Sequence, residues 1–159
     1  MFFWFLGTSV ASVWFVFHDP GMDYRLVMAG SLLPDAVDPW FGGARAFHSV
    51  TVAVALLVAV MVATVGKRGL RRRLLALPIG VFLHLVFDGA WAITDTFWWP
   101  FTGRFGRHRL PSVQRGAFSL VLEVVGIGLL VWWWRRFGLS DPDRRKELVR
   151  RGVLNGAAL

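Results

Sequence analysis

Residues 80–100 read GVFLHLVFDGAWAITDTFWWP, and they place ionisable side chains inside a run that is otherwise hydrophobic enough to span a membrane. With about 3.6 residues per helical turn, His84 and Asp88 lie one turn apart on one face, and Trp91 and Asp95 continue that stripe. A lipid-facing stripe of this kind would be costly. We therefore predict that it faces other helices or a polar cavity, where an imidazole four residues before a carboxylate can bind one metal ion.

The composition indicates an integral membrane protein. Of the 159 residues, 55% are hydrophobic, and the mean hydropathy of +0.53 is high for a soluble domain of this length. There is no cysteine, so any metal ion must be held by histidine and carboxylate side chains. The net charge is +8, but the basic residues cluster at the ends of apolar segments. That pattern is typical of membrane topology and of attraction to anionic lipid, and we expect no nucleic-acid partner.

Apolar segments predict an all-α fold, a polytopic helical membrane protein with about five membrane-embedded helices. These segments cover residues 2–17, 26–33, 46–65, 74–99 and 117–134. The stretch GKRGLRRR at 66–73 has five basic residues in eight, which favours a cytoplasmic loop and places the N-terminus outside and the C-terminus inside. We expect one transmembrane domain over residues 1–137 and a basic cytoplasmic tail over 138–159, which is a short surface helix or disordered. A bacterial inner (plasma) membrane suits such a chain.

This topology places several polar residues at a similar depth. Asp35 and Asp38 lie between Pro34 and Pro39. They are either metal ligands on a stiffened helix end or ordinary turn residues. His48, in the first turn of the third segment, is either an interfacial residue or a metal ligand. Counting about 1.5 Å per residue brings acidic and imidazole side chains from three segments into one outer layer, with Glu123 just beneath it. The five are Asp35, Asp38, His48, His84 and Asp88. Such convergence favours a shared site.

The same residues resemble a known family. LLPDAVD at 32–38, a basic residue shortly before His48 and Ser49, and the series Gly80, His84, Asp88 and Pro100 are similar to motifs of the YdjM-type membrane-bound metal-dependent hydrolases. The resemblance covers roughly residues 26–100. It implies a small polytopic protein with a metal centre and a hydrolase activity.

The resemblance also implies a ligand set. It assigns Asp35 and Asp38 to an acidic motif, His48 to a His-Ser motif, and His84 and Asp88 to the last motif, all as metal ligands. The chain departs from the family at one position, because members carry His-Arg a few residues before the His-Ser motif. Here Ala44 precedes Arg45. One ligand of the family is therefore missing, which puts a second metal ion in doubt.

The residue types themselves indicate a chemistry. Two imidazoles with carboxylates and no thiol suit Zn²⁺, and the same ligands accept Mn²⁺ or Fe²⁺. A metal ion with an open coordination position activates water, so hydrolysis of a phosphoester or other ester of an amphipathic or lipid substrate is the expected reaction. Glu123 is either a catalytic base or a residue that orients an imidazole, or else it is a neutral membrane carboxylic acid or hydrogen-bonds a neighbouring helix. Asp95 either extends the catalytic site or caps a helix.

Basic residues also gather in the predicted outer loop, against the usual topology. Arg104, Arg107 and Arg109 either contact a substrate phosphate in bidentate fashion or lie against anionic headgroups. The alternative function is non-enzymatic: a metal-binding or ion-translocating membrane protein whose acids and imidazoles line a path through the bilayer. The partners expected are the lipid bilayer and an amphipathic or lipid substrate. The oligomeric state does not follow from the sequence.

Overall fold

The computed structural model describes residues 1–42, 45–103 and 116–154, and within these ranges it contains helices and no strand. The predicted all-α class is therefore confirmed. Short 3₁₀ helices cover Asp38–Phe41, Ala46–His48 and Ala90–Ala92. The α-helices are α1 (Phe2–Phe17), α2 (Tyr24–Val37), α3 (Val50–Ala63), α4 (Arg68–Leu74), α5 (Ala76–Asp88), α6 (Thr94–Phe97), α7 (Phe118–Arg136) and α8 (Pro142–Arg151).

Two helices, α3 and α5, are shorter than the predicted membrane segments that contain them. Among the described residues, α7 alone, with 19 residues, is long and apolar enough to cross a membrane. Helices α1 and α3 are apolar but have 16 and 14 residues. The third predicted segment is divided, because Ser49 accepts a hydrogen bond from the Val52 amide and so begins α3 after the 3₁₀ turn that contains His48. The arrangement of five membrane-embedded helices stays a prediction.

The fourth predicted segment also ends early. Helix α5 stops at Asp88, because Gly89 adopts a left-handed conformation with φ of 69°. His84 and Asp88 share one helix, as predicted. The prediction that Trp91 and Asp95 continue their stripe is wrong, since these residues lie in the 3₁₀ helix and in α6 beyond the break.

Helices α2 and α5 form the closest helix pair near the predicted site. A Cβ atom built on Gly30 would lie 3.1 Å from the Cα atom of Gly80, and one built on Gly80 would lie 3.0 Å from the Cα atom of Gly30. The two backbones therefore touch, which only small residues permit. The helices run parallel, so the end of α2 and the end of α5 lie side by side. Helix α2 continues through Pro34 to Val37, which keeps Asp35 in this helical frame.

A second pair of parallel helices, α1 and α7, packs in the same way. A Cβ atom on Gly7 would lie 3.1 Å from the Cα atom of Gly126. Farther along the pair, Trp14 packs edge-on against Phe137 with ring centroids 4.6 Å apart. Helix α1 also contacts α2 and α5 and therefore joins the two pairs.

The bundle has two chemically different ends. The end formed by the start of α1, the end of α2, the start of α3 and the end of α5 carries the predicted ligands, and we call it the cluster end. The opposite end, formed by α4, α8 and the loop between α1 and α2, is rich in arginine and is the basic end. The predicted segments therefore alternate in direction as expected.

Ion pairs and main-chain hydrogen bonds hold the basic end together. Arg72 is bonded to Asp19 and lowers the pKa of that carboxyl group. Asp23 pairs with Arg25 at 2.8 Å. The tail, predicted to be a surface helix or disordered, forms α8, which docks where the amide of Tyr24 donates to the Gly152 carbonyl at 2.8 Å.

We predict that Gly30→Ala destabilises the fold by about 1–3 kcal/mol, because the added methyl group would overlap the backbone of α5. Gly128→Ala is the matched control, since a Cβ atom at Gly128 meets nothing within 4 Å. The control should keep or raise stability by up to about 1 kcal/mol through helix propensity. Thermal unfolding of the purified variants measures both changes. Equal melting temperatures would contradict the close contact of α2 and α5.

Candidate metal centre

Three predicted ligands converge at the cluster end. The Oδ1 atom of Asp35 lies 3.6 Å from Nε2 of His48 and 3.7 Å from Nε2 of His84. All three atoms lie within 4.8 Å of one another. The ligands come from α2, from the 3₁₀ turn before α3, and from α5. The distances between the Asp35 oxygen and the imidazole nitrogens exceed those of good hydrogen bonds. The three side chains therefore face a common point and are not hydrogen-bonded to one another.

These three ligand atoms are buried, and none has a hydrogen-bond partner among the residues that the structure describes. Leaving one buried polar atom unpaired costs about 1–3 kcal/mol. Three unpaired atoms aimed at one point therefore need a shared partner. A cation fits this requirement, because a carboxylate oxygen and two imidazole nitrogens all offer lone pairs to it. The Asp35, His48 and His84 group could thus hold a metal ion.

The protonation of the two imidazoles follows from their other nitrogen atoms. Nδ1 of His84 lies 2.7 Å from the carbonyl oxygen of Ser31, which can only accept, so Nδ1 carries the proton. Nδ1 of His48 lies 2.7 Å from Oδ2 of Asp38, and the same assignment follows if that carboxylate is ionised. In the neutral rings, both Nε2 atoms then present their lone pairs to the common point. This is the arrangement of histidine ligands in metalloproteins.

Asp38 orients a ligand and does not face the common point. Both of its oxygens accept hydrogen bonds, from the amides of Arg45, Phe47 and His48 and from the His48 ring. The sequence assigned Asp38 to the metal ligands. In the structure its carboxylate is enclosed by the 3₁₀ turn at residues 46–48 and is hydrogen-bonded to the His48 amide and ring.

Asp88 is a further carboxylate that lies beside the three ligand atoms. It is fully buried, and its Oδ2 atom lies 3.9 Å from Nε2 of His48. The predicted spacing of four residues from His84 places both side chains on one face of α5, toward α2 and the 3₁₀ turn. A carboxylate at this position can act as a fourth ligand or can accept a proton from a water molecule near the other three side chains.

The site is enclosed on one side and open on another. The ring of Phe5 in α1 lies on His84 with centroids 4.0 Å apart. Both imidazoles and Asp88 are buried, whereas the side chain of Asp35 keeps 22% of its surface exposed. Access to the cluster therefore runs past Asp35.

Two separations in this group are close to those of ligand atoms around one metal ion. Zn²⁺ ligand atoms about 2.0–2.2 Å from the metal in a tetrahedral arrangement lie roughly 3.3–3.6 Å from each other. The Asp35–His48 and Asp35–His84 separations of 3.6 and 3.7 Å are at or slightly above that range, and all three ligand atoms lie within 4.8 Å of one another. The donor set of one carboxylate and two imidazoles is one that catalytic zinc sites use.

Glu123 lies at a different place. Its Oε2 atom accepts hydrogen bonds from the amides of Phe3 at 2.7 Å and Trp4 at 3.3 Å. The carboxylate of α7 therefore caps the N-terminus of α1, where the helix dipole favours negative charge. Of the two roles considered for this residue, the structure gives it the contact with a neighbouring helix.

Asp95 does not join the buried cluster. Asp95 lies exposed in the first turn of α6. The arginines predicted to bind substrate, Arg104, Arg107 and Arg109, lie outside the described residues.

Sequence reasoning missed two contributors to the site. The carbonyl of Ser31 fixes His84, and the ring of Phe5 covers it. A main-chain carbonyl leaves no sequence signal, and a phenylalanine in an apolar helix does not differ from its neighbours. The separation of four residues between Ser31 and Asp35 shows only afterwards that both lie on the face of α2 that meets α5.

Comparison with known proteins gives no relative. No family model, no curated protein and no solved structure matches the chain.

We predict that the purified protein binds about one Zn²⁺ per chain, and that His84→Ala abolishes this binding because it removes one of three ligand atoms. Asp38→Asn should weaken affinity by about 10–100-fold, as expected for a residue that only orients a ligand. Metal analysis and competitive chelator titration measure the two effects. If Asp38→Asn abolished binding as His84→Ala does, Asp38 would have to be a direct ligand.

Glu123→Ala should leave the zinc affinity unchanged and lower stability by about 0.5–2 kcal/mol, the range for loss of a helix cap. Chelator titration and thermal unfolding of the same preparation separate the two readouts. A loss of metal affinity without a loss of stability would indicate that Glu123 belongs to the metal centre.

Proposed function

We propose that the protein is a membrane-embedded metal-dependent hydrolase that cleaves a phosphoester or other ester of an amphipathic or lipid substrate. The observation that carries the proposal is the convergence of three unpaired ligand atoms, from Asp35, His48 and His84, at one buried point. The resemblance of the motifs around these residues to YdjM-type hydrolases agrees with it. The metal ion proposed is Zn²⁺, with Mn²⁺ or Fe²⁺ compatible with the same ligands.

A membrane location is supported by the surface of the bundle as well as by the composition. Helix α7 exposes Leu120, Val121 and Val124 and packs mainly against α1. Helix α3 exposes Val54 and Val58 in the same manner. Apolar surfaces of this extent mark contact with lipid or with a partner. The separation of the basic end from the cluster end agrees with a cytoplasmic basic end in a bacterial inner membrane.

Each residue of the site has a role in this proposal. Asp35, His48 and His84 hold the metal ion, which would polarise the substrate oxygen and lower the pKa of a water molecule. Asp38 and the Ser31 carbonyl fix the rings. Asp88 is the group we assign as proton acceptor, because it is buried beside the ligands and belongs to the same rigid helix as His84.

The surroundings of the opening favour an amphipathic substrate. Asp35 is the exposed member of the cluster, and α2 ends three residues before Trp40 and four before Phe41, which are 87% and 65% exposed. Exposed aromatic side chains are typical of the membrane interface. An ester group that reaches Asp35 from this interface would keep its apolar part in lipid. The arginines of the 104–109 region are proposed to contact a substrate phosphate.

Asp88→Asn separates hydrolysis from metal binding. We expect the variant to retain Zn²⁺ within about tenfold and to lose about 10²–10⁴-fold in turnover, the contribution of a general base. The probes are p-nitrophenyl phosphate, bis-p-nitrophenyl phosphate and p-nitrophenyl esters with short and long acyl chains, each with purified protein in detergent. His84→Ala is the control that should lose both metal and turnover.

Two results would overturn the proposal. Zinc bound by the wild type without metal-dependent hydrolysis of any probe would favour the non-enzymatic metal-binding or ion-translocating alternative. Hydrolysis that survives in His84→Ala would mean that the reaction does not use this site.

A further inference from the structure

A second feature of the bundle lies on the opposite side of α5 from the metal centre. Helices α1 and α3 both pack against α5 and leave a cleft of about 480 Å³ between them. Its floor is formed by Pro78, Ile79 and Phe82 of α5. Ser12 is the one polar residue among the described residues that line it. Because His84 follows Phe82 by two residues, about 200° around the helix, the cleft and the metal centre do not share a face of α5.

The cleft face of α5 leads directly to the basic end. The amide of Leu75 donates to the Arg71 carbonyl at 2.9 Å and the amide of Ile79 to the Leu75 carbonyl at 3.2 Å, so helical hydrogen bonding continues from α4 into α5. Arg72 precedes Ile79 by seven residues, which is about two turns, and therefore lies on the same helix face. The helix face that forms the floor of the cleft thus continues to Arg72 at the basic end.

Arg71 and Arg72 lie beyond this end of the cleft, at the basic end of the bundle. The Arg72 side chain is 58% exposed and is bonded to Asp19, just beyond the end of α1. Arg71 precedes Pro78 by seven residues and, among the described residues, donates only to the neutral hydroxyl and carbonyl oxygens of Thr64. Its positive charge is not offset by that contact. An apolar cleft that ends at cationic groups matches a molecule with an apolar chain and an anionic head.

We propose that this cleft binds one acyl chain of an anionic phospholipid, whose phosphate lies at Arg72 and Arg71. The volume lies in the range of about 300–1,000 Å³ that is typical of small-ligand sites. The proposal rests on the membrane location given above, with the basic end at the leaflet that carries the anionic lipid. It does not depend on hydrolysis, because the cleft and the metal centre lie on different faces of α5.

The test counts lipids that stay bound after release from nanodiscs of equimolar phosphatidylglycerol and phosphatidylcholine, by native mass spectrometry. For the wild type we expect about fivefold more phosphatidylglycerol, the ratio that corresponds to about 1 kcal/mol for one arginine near an anionic surface. Arg72→Gln should bring the ratio close to one. Asp19→Asn breaks the same ion pair but leaves the arginine, and it should keep or raise the ratio.

A second pair of variants tests the cleft itself. Val54→Trp places an indole in the cleft and should lower retention of both lipids, whereas Val58→Trp, at a residue of α3 that is exposed but does not line the cleft, should behave as wild type. A wild-type ratio of one, equal effects of Arg72→Gln and Asp19→Asn, or equal effects of the two tryptophan variants would overturn the proposal. Zinc content, measured on every sample, reports separately on the metal centre.

Discussion

The contact between α2 and α5 is the constraint on which the rest of the structure depends. Gly30 and Gly80 bring the two backbones together, and the parallel direction of the helices then sets the carbonyl of Ser31 beside the ring of His84. A larger residue at either glycine would separate the helices and would move a ligand of α5 away from Asp35 of α2. The two glycines therefore determine both the close packing of the helices and the geometry of the site.

The polar groups within this frame have two distinct tasks. Asp38 and the Ser31 carbonyl accept hydrogen bonds from the Nδ1 atoms of the histidine rings, and so they determine which nitrogen faces inward. Asp35 offers an oxygen to the point that both rings face. Neither task can be inferred from residue type alone, since Asp35 and Asp38 belong to one motif and are three residues apart. Their roles differ because Asp35 is still on α2, while Asp38 begins the 3₁₀ turn that follows it.

The sequence predicted the helical class and the convergence of Asp35, His48 and His84, because helical periodicity and alternating direction constrain depth along a bundle. It did not predict the end of α5 at Asp88, since the left-handed conformation of Gly89 is one of several that a glycine can adopt. It also did not decide the role of Glu123. That side chain bonds to amides about 120 residues earlier in the chain, a long-range contact that no local pattern specifies.

The division of the ligands along the chain has a thermodynamic consequence. Asp35 and His48 are close in the chain, and Asp38 between them accepts hydrogen bonds from the amides of Arg45 and His48. His84, by contrast, lies in α5, which follows the basic helix α4. A bound ion would therefore link two parts of the chain across the 35 residues between the two histidines, and its binding free energy would add to the stability of the folded state, because the unfolded chain lacks the assembled site. Removing the ion would withdraw that contribution, while the contact between Gly30 and Gly80 would still hold α5 against α2.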